Sequence, residues 1–111
     1  MRILLTGANG YVGRRLLPEL LSQGHEVICC VRDKNRLGLD KTTQERITIW
    51  EVDFLHTINL NNLPEKIDVA YYLIHSMTSS TSDFDVMEGK SAHNFNLYMN
   101  EIGVKQVIYL S

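Results

Sequence analysis

A chain of 111 residues, 44% of them hydrophobic, can bury one core and is small for a complete enzyme. Its net charge of −2 and pI near 6.0, with no long basic run, argue against a nucleic-acid binder held by electrostatics. No apolar stretch approaches the roughly 20 residues of a membrane span, and a strand follows directly on Met1-Arg2, so the expectation is a cytoplasmic protein with no signal peptide and no membrane partner.

The first strand is the apolar run Ile3-Leu4-Leu5, and it leads into Thr6-Gly7-Ala8-Asn9-Gly10-Tyr11-Val12-Gly13. Seven glycines in 111 residues produce spaced triplets by chance, so the G-x-x-G-x-x-G spacing carries weight through its context of strand before and helix after. On such a turn glycines let the backbone approach a pyrophosphate, and the free N–H groups of the helix start face the anion. Val12, Leu16, Leu17, Leu20 and Leu21 make one apolar helix face, and Gly24 ends the helix. Pro18 breaks the local rule by removing a helix hydrogen bond, and a kink is expected there.

Glu26–Val31 is nearly continuous in apolar residues, as a parallel strand covered on both faces should be. Its adjacent cysteines, Cys29 and Cys30, point to opposite faces and read as reduced, buried and structural. Residues 33–46 are polar, a loop or short ragged helix, before a third strand at 47–52. Leu55, Ile58, Leu60 and Leu63 suggest a helical turn or two before Pro64; a fourth strand follows at 69–74 and a hydroxyl-rich loop at 76–82. Phe84, Met87, Ser91, Phe95, Tyr98 and Ile102 keep helical spacing until Gly103, and residues 104–110 form a fifth strand. This alternation predicts right-handed crossovers and a doubly wound parallel sheet in order 3-2-1-4-5, with a ligand crevice between the first and fourth strands.

The glycine turn, Val31-Arg32-Asp33, Val52-Asp53-Phe54, the stretch Asp68-Val69-Ala70-Tyr71-Tyr72-Leu73-Ile74-His75-Ser76-Met77 and Gly103-Val104-Lys105-Gln106-Val107-Ile108-Tyr109-Leu110 fall in a familiar order. The chain resembles the extended and atypical short-chain dehydrogenase/reductases, and within them the NmrA-like group of NAD(P)-binding and nucleoside-diphosphate-sugar epimerase proteins. The resemblance implies that residues 1–111 are the N-terminal portion of a Rossmann domain, with later strands and the substrate region absent. It implies a dinucleotide cofactor, a small-molecule substrate for the full-length parent and a homo-oligomer.

The expected cofactor contacts begin with Gly7, Asn9, Gly10, Tyr11, Val12, Gly13 and Arg14. Arg32 and Asp33 stand about 20 residues past Gly13, where an acidic residue holds the ribose of NAD and an arginine accepts the 2′-phosphate of NADP. Arg32 comes first and Arg14 can help with a forked guanidinium, so NADP(H) is favoured and NAD(H) stays open. The alternative for both arginines is a solvated surface charge. In the resembling family an Asp followed by an apolar residue borders the adenine, which points to Asp53 and Phe54; the alternative for Asp53 is an ordinary turn residue. Leu73, Ile74 and His75 should lie at the carboxyl end of the fourth strand beside the pyrophosphate and nicotinamide ribose.

The other candidates have plainer explanations. His25, His56 and His93 lack ligand spacing. Asp83, Asp85 and Glu88 complement the dipole at the start of the long helix. Asn94 matches a position the family often fills with Asn; packing toward the crevice is one reading and a polar helix face the default. Catalysis in short-chain dehydrogenases rests on Tyr-x-x-x-Lys, and none of Tyr11, Tyr71, Tyr72, Tyr98 or Tyr109 has a lysine four residues on. The chain therefore reads as the cofactor-binding part of a longer oxidoreductase or epimerase, with a natural minimal relative as the other reading. A non-catalytic NmrA-like cofactor sensor that binds a protein partner is the alternative, and a purely structural domain is disfavoured by so bare a glycine turn.

Overall fold

In the computed structural model, residues 1–8, 10–36, 38–55, 63–73 and 82–109 are described. Their order is β1 (Arg2–Thr6), α1 (Tyr11–Ser22), β2 (Glu26–Val31), a 3-10 turn (Lys34–Arg36), α2 (Lys41–Glu45), β3 (Thr48–Glu51), β4 (Val69–Tyr72), α3 (Ser82–Ile102) and β5 (Gln106–Tyr109). The strands form one parallel sheet in the order β3-β2-β1-β4-β5, the doubly wound arrangement expected from the alternation of elements.

Two cores sandwich the sheet because successive strand residues face opposite ways. Ile3, Leu5, Val27 and Cys29 pack with Leu17, Leu20 and Leu21 of α1. Leu4, Ile28, Cys30, Ala70 and Tyr72 pack with Phe95, Tyr98 and Met99 of α3. The adjacent cysteines thus enter different cores, free and buried. Burial pushes the Cys29 thiol up to about 12 and Cys30 well above its ordinary value, the charge of Cys29 adding to the second, so both stay protonated at neutral pH.

Local chemistry sets the helix ends. At the end of α1, Gly24 has φ 83°, its N–H donates to the Leu21 carbonyl, and the His25 N–H donates to that of Leu20, which together make a Schellman cap. The helix runs unbroken through Pro18, which is exposed, so water can take the Arg14 carbonyl that its ring leaves unpaired. The polar 33–46 stretch resolves into the 3-10 turn and α2, the latter capped by Asp40 accepting from the Thr43 N–H. The turns expected around Ile58 and Leu60 and residues 76–81 of the loop expected at 76–82 lie outside the described residues, while Ser82 already opens α3.

The last three strands, β3, β4 and β5, are shorter than the runs expected for them. β5 begins at Gln106 because Gly103 and Val104 both donate N–H to the Met99 carbonyl and so still belong to the end of α3. β4 ends at Tyr72 because the next N–H, of Leu73, turns to a side chain.

Asp68 ties the amino ends of three strands. Its Oδ2 accepts from the Arg2 N–H at 2.9 Å, its Oδ1 lies 3.3 Å from Lys105 Nζ, and its backbone carbonyl accepts from the Gln106 N–H. The Arg2 N–H first, and Lys105 second, hold its carboxyl below the usual aspartate value. A lowered folded-state pKa gives stability that is complete above the usual value and is lost as pH falls through the lowered one. Asp68→Asn should therefore lower the melting temperature at neutral pH and flatten its decline between about pH 5 and pH 2. An acid limb as steep as that of the unsubstituted chain would remove Asp68 from the account.

Candidate dinucleotide-binding site

Every glycine of the turn has a different reason to lack a side chain. Gly7, directly after β1, has φ 70°, and a Cβ on it would sit 3.3 Å from both the Cβ and the carbonyl oxygen of Leu73. Gly10 is the N-cap of α1, with ordinary extended angles (φ −83°, ψ 178°), and among the described residues a Cβ there would meet the Gly7 carbonyl oxygen at 3.3 Å. A Cβ on Gly13 would fall 2.1 Å from that same oxygen and 2.8 Å from Ala8 Cα. Gly13 is thus what lets α1 lie against the turn, while Gly10 keeps the outer surface of the turn bare.

The start of α1 is open to an anion. Gly10 brings no side-chain cap, and the first turn holds no acidic residue. The backbone N–H groups there and the positive end of the helix dipole can take phosphate oxygens.

Thr6 sets the other wall, and sequence reasoning assigned it no role. It is fully buried; its hydroxyl donates to the Tyr71 carbonyl at 3.0 Å and accepts from the Leu73 N–H at 2.9 Å. The side chain thereby extends the pairing of β1 with β4 past the ladder, which ends at Leu5 opposite Tyr71, and holds Leu73 against Gly7 at the point where strand order reverses. The one signal in the sequence was a hydroxyl residue closing an otherwise apolar strand.

The sequence-expected residues divide on inspection. Gly7, Gly10, Gly13 and Leu73 come together as described. Tyr11 is 69% exposed at the start of α1, with the Arg15 guanidinium 4.4 Å from its ring centroid. The Val12 side chain packs at the margin of the α1 core, so only its backbone is available to the turn. Arg14 and Arg32 are exposed, the latter directly after β2. Asp33 Oδ1 accepts from the Asn35 N–H at 3.0 Å, and Asp53 Oδ1 from the Leu55 N–H at 2.9 Å, each an Asx turn at a strand end. The expectations on Asn9, Ile74 and His75 lie outside the described residues.

Phe54 is placed differently from expectation, and Asn94 differently from its default reading. The Phe54 ring is 4% exposed and lies edge-on to Trp50, Phe95 and Tyr98, so it is core and leaves only its backbone to border a ligand. Asn94 belongs to the buried face of α3, where its Nδ2 donates to the Phe54 carbonyl at 2.6 Å. Of its two readings the default, a polar helix face, does not hold, because the face α3 turns to the sheet is wide enough to include Ser91, Asn94, Phe95, Tyr98 and Met99. Among the described residues no group of three or more His, Cys, Asp or Glu is placed to hold a metal ion, and no helix is long and apolar enough to cross a membrane.

A parallel sheet in this order, with a bare glycine turn at its switch point, defines a Rossmann dinucleotide-binding fold. The profile of the NAD(P)H-binding family matches residues 7–111, and the chain belongs to that family. The chain is 27% identical in sequence to a protein of known structure described as an NAD-dependent epimerase/dehydratase from Bacillus halodurans, covering 100% of this chain and 51% of that one with a TM-score of 0.77. Gre2 from Candida albicans, solved in complex with NADPH, has the same fold at a TM-score of 0.77 and 15% identity, over 98% of this chain and 36% of its own. Over 33 residues, 30% of this chain, there is 54% identity to the dTDP-6-deoxy-L-talose 4-dehydrogenase (NAD(+)) of Aggregatibacter actinomycetemcomitans. The chain spans only 12% of that enzyme's length.

Proposed function

We propose that this chain is the cofactor-binding portion of a short-chain dehydrogenase/reductase-like oxidoreductase or epimerase, and that it prefers NADP(H) to NAD(H). The observation that carries the reading is the backbone cradle at the switch point, in which Gly7 holds a left-handed φ of 70°, Gly13 leaves no room for a Cβ and Gly10 adds no side chain at the helix start. The cradle fits a pyrophosphate, which would lie over Gly10 to Gly13 with Leu73 beside it. The bound nicotinamide supplies hydride transfer; the protein's part is to hold it.

The preference rests on the end of β2. Arg32 is exposed there, with no ion pair among the described residues, and Arg14 is exposed in the first turns of α1. One oxygen of Asp33 already serves the Asn35 N–H. The matched proteins carry both cofactors in their descriptions, NADPH for Gre2 and NAD(+) for the talose dehydrogenase, so the choice falls to these side chains. The named relatives are described as enzymes, which favours the oxidoreductase or epimerase reading over a cofactor-sensing regulator.

Calorimetric titration with NADPH and NADH tests this directly. Tighter binding of NADPH is expected; equal affinities or a preference for NADH would move the ribose contact to Asp33. Self-association belongs to the same proposal, since β5 stands at one edge of the sheet with Gln106 and Tyr109 exposed, and unpaired edge groups favour pairing with a second chain. Light scattering from a stable monomer at high concentration would defeat that part.

A further inference from the structure

We propose that Asn94 is a positioning residue for the adenine end of the cofactor, acting through the Phe54 carbonyl on the turn that carries Asp53; this rests on the dinucleotide reading above. A primary amide in a core costs free energy unless its hydrogen bonds are made, and a helix that only had to cover the sheet would do better with an apolar residue. The neighbours of Asn94 on the buried face of α3 include Phe95, Tyr98 and Met99. Yet its amide reaches across to the first turn beyond β3 and donates to a backbone oxygen at 2.6 Å.

That turn needs fixing from outside the sheet. The N–H of Val52 still bonds the Val31 carbonyl at 2.7 Å, one residue past the end of β3. The Asp53 carboxylate holds the Leu55 N–H, and the Phe54 ring is seated 5.4 Å from that of Phe95 and 5.7 Å from that of Tyr98. A seated ring still lets the following peptide plane swivel about the backbone. The Asn94 amide is the contact that sets the direction of the Phe54 carbonyl, and with it the backbone on which Asp53 stands at the carboxyl end of the sheet. Asn94 therefore links the helix on one face to the turn carrying Asp53, the residue expected to border the adenine.

The experiment is a titration of the 111-residue chain, followed by NMR, with 5′-AMP, 2′,5′-ADP and nicotinamide mononucleotide. Asn94→Ala should weaken both adenine ligands by one common factor, about 3- to 10-fold, and leave the nicotinamide ligand unchanged. Asn94→Leu keeps the branched shape and removes the donor, and should weaken them as much; a packing role would spare it. In the unsubstituted chain the Asn94 side-chain amide resonances should move on adding 5′-AMP and stay put with nicotinamide mononucleotide. Wild-type affinity for both adenine ligands in a folded variant, equal loss for all three ligands, or unmoved Asn94 resonances in a chain that does bind 5′-AMP would each overturn the proposal. An unsubstituted chain that binds neither adenine ligand would instead overturn the dinucleotide reading itself.

Discussion

Gly13→Ala should unfold this domain more readily than any other single methyl added to the glycine turn. The new carbon would lie 2.1 Å from the Gly7 oxygen and 2.8 Å from Ala8 Cα. Both are backbone atoms, and their segment is held on its other side by Thr6 and Leu73, so no rotamer change relieves the clash. The cost belongs at or above the upper end of the ~1–3 kcal/mol that overpacking a core incurs. For a domain of this size that is a fall in melting temperature on the order of 10–20 °C. Gly10→Val is the informative contrast. Its site is exposed and its φ of −83° suits any residue, so the variant should stay folded while the branched side chain occupies the surface proposed for the pyrophosphate. Thermal melts and NADPH titrations of the two variants separate packing from binding. Gly13→Ala melting like the unsubstituted chain, or Gly10→Val binding NADPH normally, would break the division of roles among the glycines.

Arg32→Ala should erase the preference for NADP(H). A guanidinium facing a 2′-phosphate makes charge-assisted hydrogen bonds, and their loss is expected to weaken NADPH by about 1.5–3 kcal/mol, roughly 10- to 150-fold, while NADH changes little. Because the arginine is exposed, the effect should shrink as ionic strength rises. Arg32→Lys keeps the charge without the fork and should recover only part of the loss. Equal weakening of both cofactors would mean that Arg32 acts on something common to them, and no change in either would leave it as a solvated charge.

Element type and order were legible in the sequence because hydrophobic period and turn residues are local properties. β2 begins and ends where its apolar run does. Gly24 and Gly103 end helices through left-handed backbone that glycine adopts without strain, with φ 83° and 80°. Strand ends were less legible, since a residue leaves a ladder when another group takes its N–H: Val104 goes to Met99 and Leu73 to Thr6. Apolar character at those positions says nothing of that competition.

The cofactor class and the order of the sheet follow from the sequence alone. A glycine-spaced turn between strand and helix has one main chemical use, and right-handed crossovers leave one topology for the alternation that follows. Only the tertiary structure decided what each glycine is for. Positive φ at Gly7, open surface at Gly10 and backbone contact at Gly13 are indistinguishable as letters, because the atoms a Cβ would meet come from Leu73 in one case and from the turn itself in another. The same holds for Thr6, Phe54 and Asn94. Their roles lie in hydrogen bonds and ring contacts spanning 67 residues for Thr6 with Leu73 and 40 for Asn94 with Phe54. Pattern along a chain reports which face a residue lies on, whereas the partner on the other side of that face exists only once the chain has folded.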